Sequence, residues 1–99
     1  MSFNHYARKV RNPELSIWTR LSALRSCIRM LSVLTKESYH LAVTRFDNRF
    51  GFNRSKGDSL EPPLESDLLE ALTAVEEERN LLLEKIRIDS QLQKSRKRQ

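Results

Sequence analysis

Glycine, cysteine and histidine are nearly missing from this 99-residue chain, which has two, one and two of them respectively. With Gly51 and Gly57 as its whole glycine supply, the sequence cannot build a glycine-rich phosphate loop. Cys27 alone permits neither an intramolecular disulfide nor a cysteine-rich zinc site. His5 and His40 lie far apart in sequence, and no His, Asp or Lys is spaced to activate a nucleophile. No apolar run approaches the roughly 18–20 residues of a membrane span; Leu81-Leu82-Leu83 is as long as any. We therefore expect no catalytic residues, metal, cofactor or small-molecule substrate, and no membrane span.

What the chain does have is charge, unevenly placed. Residues 1–57 hold eleven Lys/Arg and three acids, residues 58–89 three Lys/Arg and ten acids, and residues 90–99 four basic residues and no acid. Basic blocks suit polyanions, because neutralised phosphates release condensed counterions. The competing reading is that the basic and acidic arms neutralise each other within the fold. With 38% hydrophobic and 31% charged residues, a chain this short has a thin core.

The apolar pattern predicts an all-α protein: two long helices in an antiparallel hairpin, with an extended basic N-terminal arm and a basic C-terminal tail. Residues 1–12 show no clear period and are expected to be the arm, with Arg8, Lys9 and Arg11 as its charge. Asn12-Pro13-Glu14 then has the order of a helix start: a capping side chain, proline in the first position and an acid in the first turn. From about 13 to 50 there is no internal breaker. Ile17, Leu21, Leu24, Ile28 and Leu31 recur three and four apart, so they share one face. Gly51 is the expected stop. Residues 51–62 form the connection, and a second helix is expected over about 63–93, with Leu68, Leu72, Val75, Leu82 and Ile86 as its stripe. Arg79 falls within that stripe. Residues 94–99 form the tail.

Several features point to partners. The two apolar stripes are candidate protein interfaces, in the manner of a coiled coil. Trp18, Arg25 and Arg29 stand at i, i+7 and i+11, a ridge on which indole and guanidinium groups can stack and meet phosphate. Arg45, Arg49 and Arg54 are interleaved with Phe46, Phe50 and Phe52, which either stack bases or close the end of the hairpin. Lys94, Arg96, Lys97 and Arg98 form a basic tail of the kind found in RNA-binding extensions and nuclear localisation signals. Cys27 lies beside the apolar stripe and is expected to be a buried, inert thiol.

Between Leu15 and Lys36 there are three arginines, one lysine and no acid, with Ser and Thr throughout. This is the composition of a mitochondrial targeting helix, here longer and more regular than import alone requires. In its basic ends, long helices and small core the chain resembles small mitochondrial ribosomal proteins, a likeness of layout without a shared motif. The Leu-Tyr-Arg signature of mitochondrial assembly proteins is absent: the nearest string is Ala23-Leu24-Arg25. The expectation is a non-catalytic structural subunit of a ribonucleoprotein, a small mitochondrial ribosomal protein touching rRNA through backbone and shape contacts and touching neighbouring proteins. The alternative is a protein-only helical adaptor or assembly factor of a multi-subunit mitochondrial complex. The corresponding location is the mitochondrial matrix, or the nucleus or nucleolus if the tail acts as the signal.

Overall fold

The computed structural model describes residues 2–52, 55–56, 59–60 and 62–97, with positions 55–56, 59–60 and 93–97 described through their backbone. Among the described residues the fold is all-helical in class, as expected, but with four helices where two were anticipated: α1 Phe3–Arg11, α2 Ile17–Thr35, α3 Tyr39–Phe50 and α4 Glu65–Lys97. Between α3 and α4, Ser55–Lys56 (β1) pairs antiparallel with Ser59–Leu60 (β2).

Residues 1–12 are not an extended arm, because Phe3–Arg11 is helical. The Ser2 hydroxyl accepts from the His5 backbone N–H and opens α1. Arg8, Lys9 and Arg11 occupy its last turn, where the helix dipole favours cations. Phe3, Ala7 and Val10, four and three apart, form its buried face against α2 and α4. Three positions were too few to stand out as a period. Asn12-Pro13-Glu14 is a corner and not a helix start. Asn12 caps the C-terminus of α1, and its side-chain oxygen accepts from Glu14 N–H at 3.0 Å. The cap of α2 is Ser16, whose hydroxyl accepts from Thr19 N–H at 3.1 Å.

The single helix expected over residues 13–50 is instead two, α2 and α3. Lys36 takes the left-handed conformation, φ 62°, and ends α2 without glycine. The Ser38 hydroxyl then accepts from Leu41 N–H and starts α3. Gly51, φ 75°, ends α3 as anticipated, with its N–H on the Asp47 carbonyl at 2.7 Å.

Helix α2 is the centre of the bundle and touches α1, α3 and α4. Leu21, Leu24, Ile28 and Leu31 of α2 meet Leu68, Ala71, Leu72 and Val75 of α4 in one core, joined by Ala42 and Phe46. The stripe expected to dock on a partner is therefore consumed by the chain's own fold: Leu21, Leu24, Ile28, Leu31, Leu68, Leu72 and Val75 are buried, and Ile17 and Leu82 pack against them. Ile86 alone of the proposed interface residues is exposed. Arg79 does not interrupt the core; its guanidinium lies 4.5 Å over the Phe3 ring.

The 33 residues of α4 make a rod of about 50 Å at 1.5 Å per residue. Only its first half is packed. Every residue from Leu83 to Leu92 is exposed, so the helix projects from the bundle and the described chain measures 63 × 26 × 20 Å. The helix also continues beyond position 93, so Lys94–Lys97 are part of α4 and not a separate tail.

Candidate interaction surface

The acidic and basic halves of the sequence meet, and this determines which cations remain available. Arg11 forms a fork on Glu76, with Nη1 to Oε2 at 3.0 Å and Nη2 to Oε1. Arg45 binds both Glu78 oxygens, at 3.0 and 2.8 Å, and Glu37 at 2.9 Å. Donating these hydrogen bonds to Glu76 and Glu78 pushes the pKa of Arg11 and Arg45 upwards. Arg25 reaches Asp47 at 3.6 Å. A fourth cation, Arg20, was not singled out by sequence reasoning, since it reads as one more basic residue on a basic helix. It is 3% exposed, donates from Nε to the Val10 carbonyl at 2.7 Å, and reaches Glu65 at 3.2 Å. It serves a carbonyl left open at the end of α1 and joins three helices.

Arg8, Lys9, Arg29 and Arg49 form no ion pair among the described residues. Arg49 stacks on Phe50, 5.1 Å from the ring centroid, beside a cleft of about 600 Å³ that also holds Asp67 and Glu70. The aromatics of that segment stack on each other: Phe46 on Phe50 at 6.4 Å, and Phe50 on Phe52 at 6.0 Å. Phe46 and Phe52 are buried, so the rings close this end of the bundle. Arg54 and Arg98 lie outside the described residues, as do the side chains of Lys94, Arg96 and Lys97.

The ridge on α2 is assembled as its spacing required. Trp18, Arg25 and Arg29 line one shallow groove of about 250 Å³ with Ser22, Ser26 and Tyr39. Trp18 is 47% exposed, an unusual state for an indole with a core nearby. Tyr39 comes from α3, and the Arg29 guanidinium lies 4.5 Å above its ring. Sequence reading missed Tyr39 because the break at Lys36, which brings α3 alongside α2, went unseen. On the other side of Ser22 and Ser26 a second cleft, of about 180 Å³, holds Lys9, Tyr6 and Thr19. Three helices thus contribute cations, hydroxyls and three aromatic rings, those of Tyr6, Trp18 and Tyr39, to one face.

Arg25 is loosely held there. Its Nε and the Oδ1 of Asp47 are buried without hydrogen-bond partners. Burial raises the Asp47 carboxyl pKa, and Arg25 opposes the rise. A carboxyl whose folded pKa exceeds its unfolded value destabilises the ionised fold, and that penalty fades as pH falls through the folded pKa. Asp47 also stands in the C-terminal half of α3, where the dipole disfavours an anion. Asp47→Asn should therefore raise the melting temperature at pH 7, with the advantage shrinking in acid. An equal or lower melting temperature at pH 7 would show that Arg25 outweighs burial.

Cys27 is fully buried, and its pKa is pushed up to about 12, mainly by burial. Glu76 adds to the rise, while Arg11 and Arg79 oppose it. At neutral pH it is a thiol without nucleophilic character. Among the described residues no three His, Cys, Asp or Glu side chains gather as a metal site, and no helix is long and apolar enough to cross a membrane. Comparison of the chain with protein-family models, curated proteins and solved structures gives no match.

Proposed function

We propose that the protein is a non-catalytic structural subunit of a ribonucleoprotein, a small mitochondrial ribosomal protein being the fitting example, and that the Trp18 face lies along an RNA backbone. The observation that carries this reading is the groove itself. It places an exposed indole, Arg29 on Tyr39 and the loosely held Arg25 on one surface, with Lys9 in the adjoining cleft. Guanidinium and ammonium groups neutralise phosphates, serine and tyrosine hydroxyls add hydrogen bonds, and Trp18 offers a stacking surface. No base-reading motif is present, so recognition is by backbone and shape.

Arg25→Gln/Arg29→Gln tests this reading. If both contact phosphate, the logarithmic salt slope of RNA binding falls by about 1.8 for a duplex or 1.4 for a single strand. Trp18→Ala instead weakens binding by about 1–3 kcal/mol at an unchanged slope. Particle association that survives all three changes and ribonuclease would rule the reading out. Import into mitochondria belongs to the same proposal. The acid-free stretch is the central helix of the fold, so it would act as an uncleaved signal. A reporter carrying residues 1–40 that stays in the cytosol would contradict it.

A second reading, a protein-only adaptor or assembly factor, is favoured by a different observation: the apolar residues on the projecting half of α4. Docking through them would weaken little with salt, in contrast to RNA binding.

A further inference from the structure

The projecting half of α4 carries a face that is complementary to itself. Leu81, Ile88 and Leu92 are 68%, 46% and 54% exposed. At 100° per residue they fall on one side of the helix, with Lys85 between them and exposed Glu77 one turn before. Extended by one turn, the series reads 77, 81, 85, 88, 92, 96, with steps of four, four, three, four and four. That spacing is the same in both directions, with its centre between Ile86 and Arg87. Every residue from Leu83 to Leu92 is exposed, so this face and both its flanks are open over the projecting half of α4.

We infer that this face pairs antiparallel with the same face of a second copy of the chain, about a two-fold axis through that centre. Leu81 then lies against Leu92 of the second copy, and Leu92 against its Leu81. Lys85 lies against Ile88 of the second copy, and Asp89 of that copy, one position further on the same flank, meets the ammonium group. The backbone of Arg96 comes level with Glu77 of the other chain. Each contact occurs twice, as an isologous interface requires. A parallel pair would set Lys85 against Lys85 and Glu77 against Glu77, which like-charge repulsion disfavours. A single ladder of this length buries less than the roughly 800 Å² per partner of a standard interface, so the pairing is reversible and depends on concentration. The inference names the partner for the docking surface of the second reading and is independent of RNA contact.

The test is the mass of the purified full-length chain over a concentration series, by sedimentation equilibrium. The expected result is a shift from the 11.6 kDa chain towards twice that mass. Leu81→Ser/Leu92→Ser should weaken the pairing at least about tenfold while leaving the melting temperature of the dilute protein unchanged, because both residues are exposed. Lys85→Asp and Asp89→Lys should each weaken it about tenfold through like-charge contacts, and the double charge swap should restore it. That rescue is specific to self-pairing; an unrelated partner would gain nothing from it. A wild-type chain that stays monomeric throughout, or a double swap that fails to rescue, overturns the inference. If the Leu81/Leu92 variant of such a monomer also loses its particle association in cells, the docking reading stands with a different protein. If association is retained, the docking reading falls too.

Discussion

Leu24→Asp should unfold the protein. Leu24 is fully buried on α2, among Ile28, Leu31 and the α4 residues Leu68 and Leu72. A carboxylate there is stripped of water and costs several kcal/mol, about 4 or more, against the roughly 5–15 kcal/mol by which a domain is normally stable. With a core this small, the total is expected near the low end of that range. The measurement is far-UV circular dichroism with a thermal melt: helical signal lost at 25 °C, or a melt without a cooperative transition. Leu24→Ala provides a graded version, costing about 3 kcal/mol for the cavity and lost burial, or roughly 15 °C in melting temperature. Ile88→Asp makes the same chemical change on the projecting part of α4 and should leave the dilute protein within about 0.5 kcal/mol of wild type. A Leu24→Asp chain that folds with an unchanged melt would mean that the α2 stripe faces a partner and not α4.

Arg20→Ala is expected to be the most damaging change at any charged residue described. Three losses coincide: the buried Val10 carbonyl loses the donor at 2.7 Å, the aliphatic stem leaves a cavity, and α1 loses its tie to α4 through Glu65. An unsatisfied buried carbonyl alone costs about 1–3 kcal/mol, and lost packing of the stem adds to it. The expected total is about 3 kcal/mol. Glu65→Gln separates the parts. Its carboxylate side chain is 57% exposed, so losing that ion pair should cost less than about 1 kcal/mol. If Glu65→Gln were as harmful as Arg20→Ala, the ion pair and not the carbonyl bond would be the stabilising element. If Arg20→Ala were neutral, α1 would be held by Phe3, Ala7 and Val10 alone.

Local pattern determined several features of this protein outright. The helical class, the α2 stripe from Leu21 to Leu31, the stop at Gly51, the acidic start of α4 and the common face of Trp18, Arg25 and Arg29 all follow from side chains within a few turns of each other. Such relations are set by helix geometry and capping chemistry, which depend on neighbours in sequence. Two helix boundaries carry only weak local signals: Ser16 follows the stronger start pattern Asn12-Pro13-Glu14, and Ser38 follows a left-handed lysine at a position where glycine is the usual signal.

Other features depended on which elements meet. The buried faces of α1, α2 and α4 cover one another, so residues that read as a docking stripe are core, while the docking candidates lie on the far half of α4. Arg11, Arg25 and Arg45 read from sequence equally as RNA contacts or as partners of the acidic arm; long-range contacts to Glu76, Asp47, Glu78 and Glu37 engage them, and leave Arg8, Lys9, Arg29 and Arg49 without ion pairs among the described residues. Arg20 became structural because α1 folds back to present the Val10 carbonyl. Burial and charge pairing are properties of surfaces brought together from distant parts of the chain. A periodicity shows that a face exists, but only tertiary packing decides whether that face is covered by the protein itself or left for a partner.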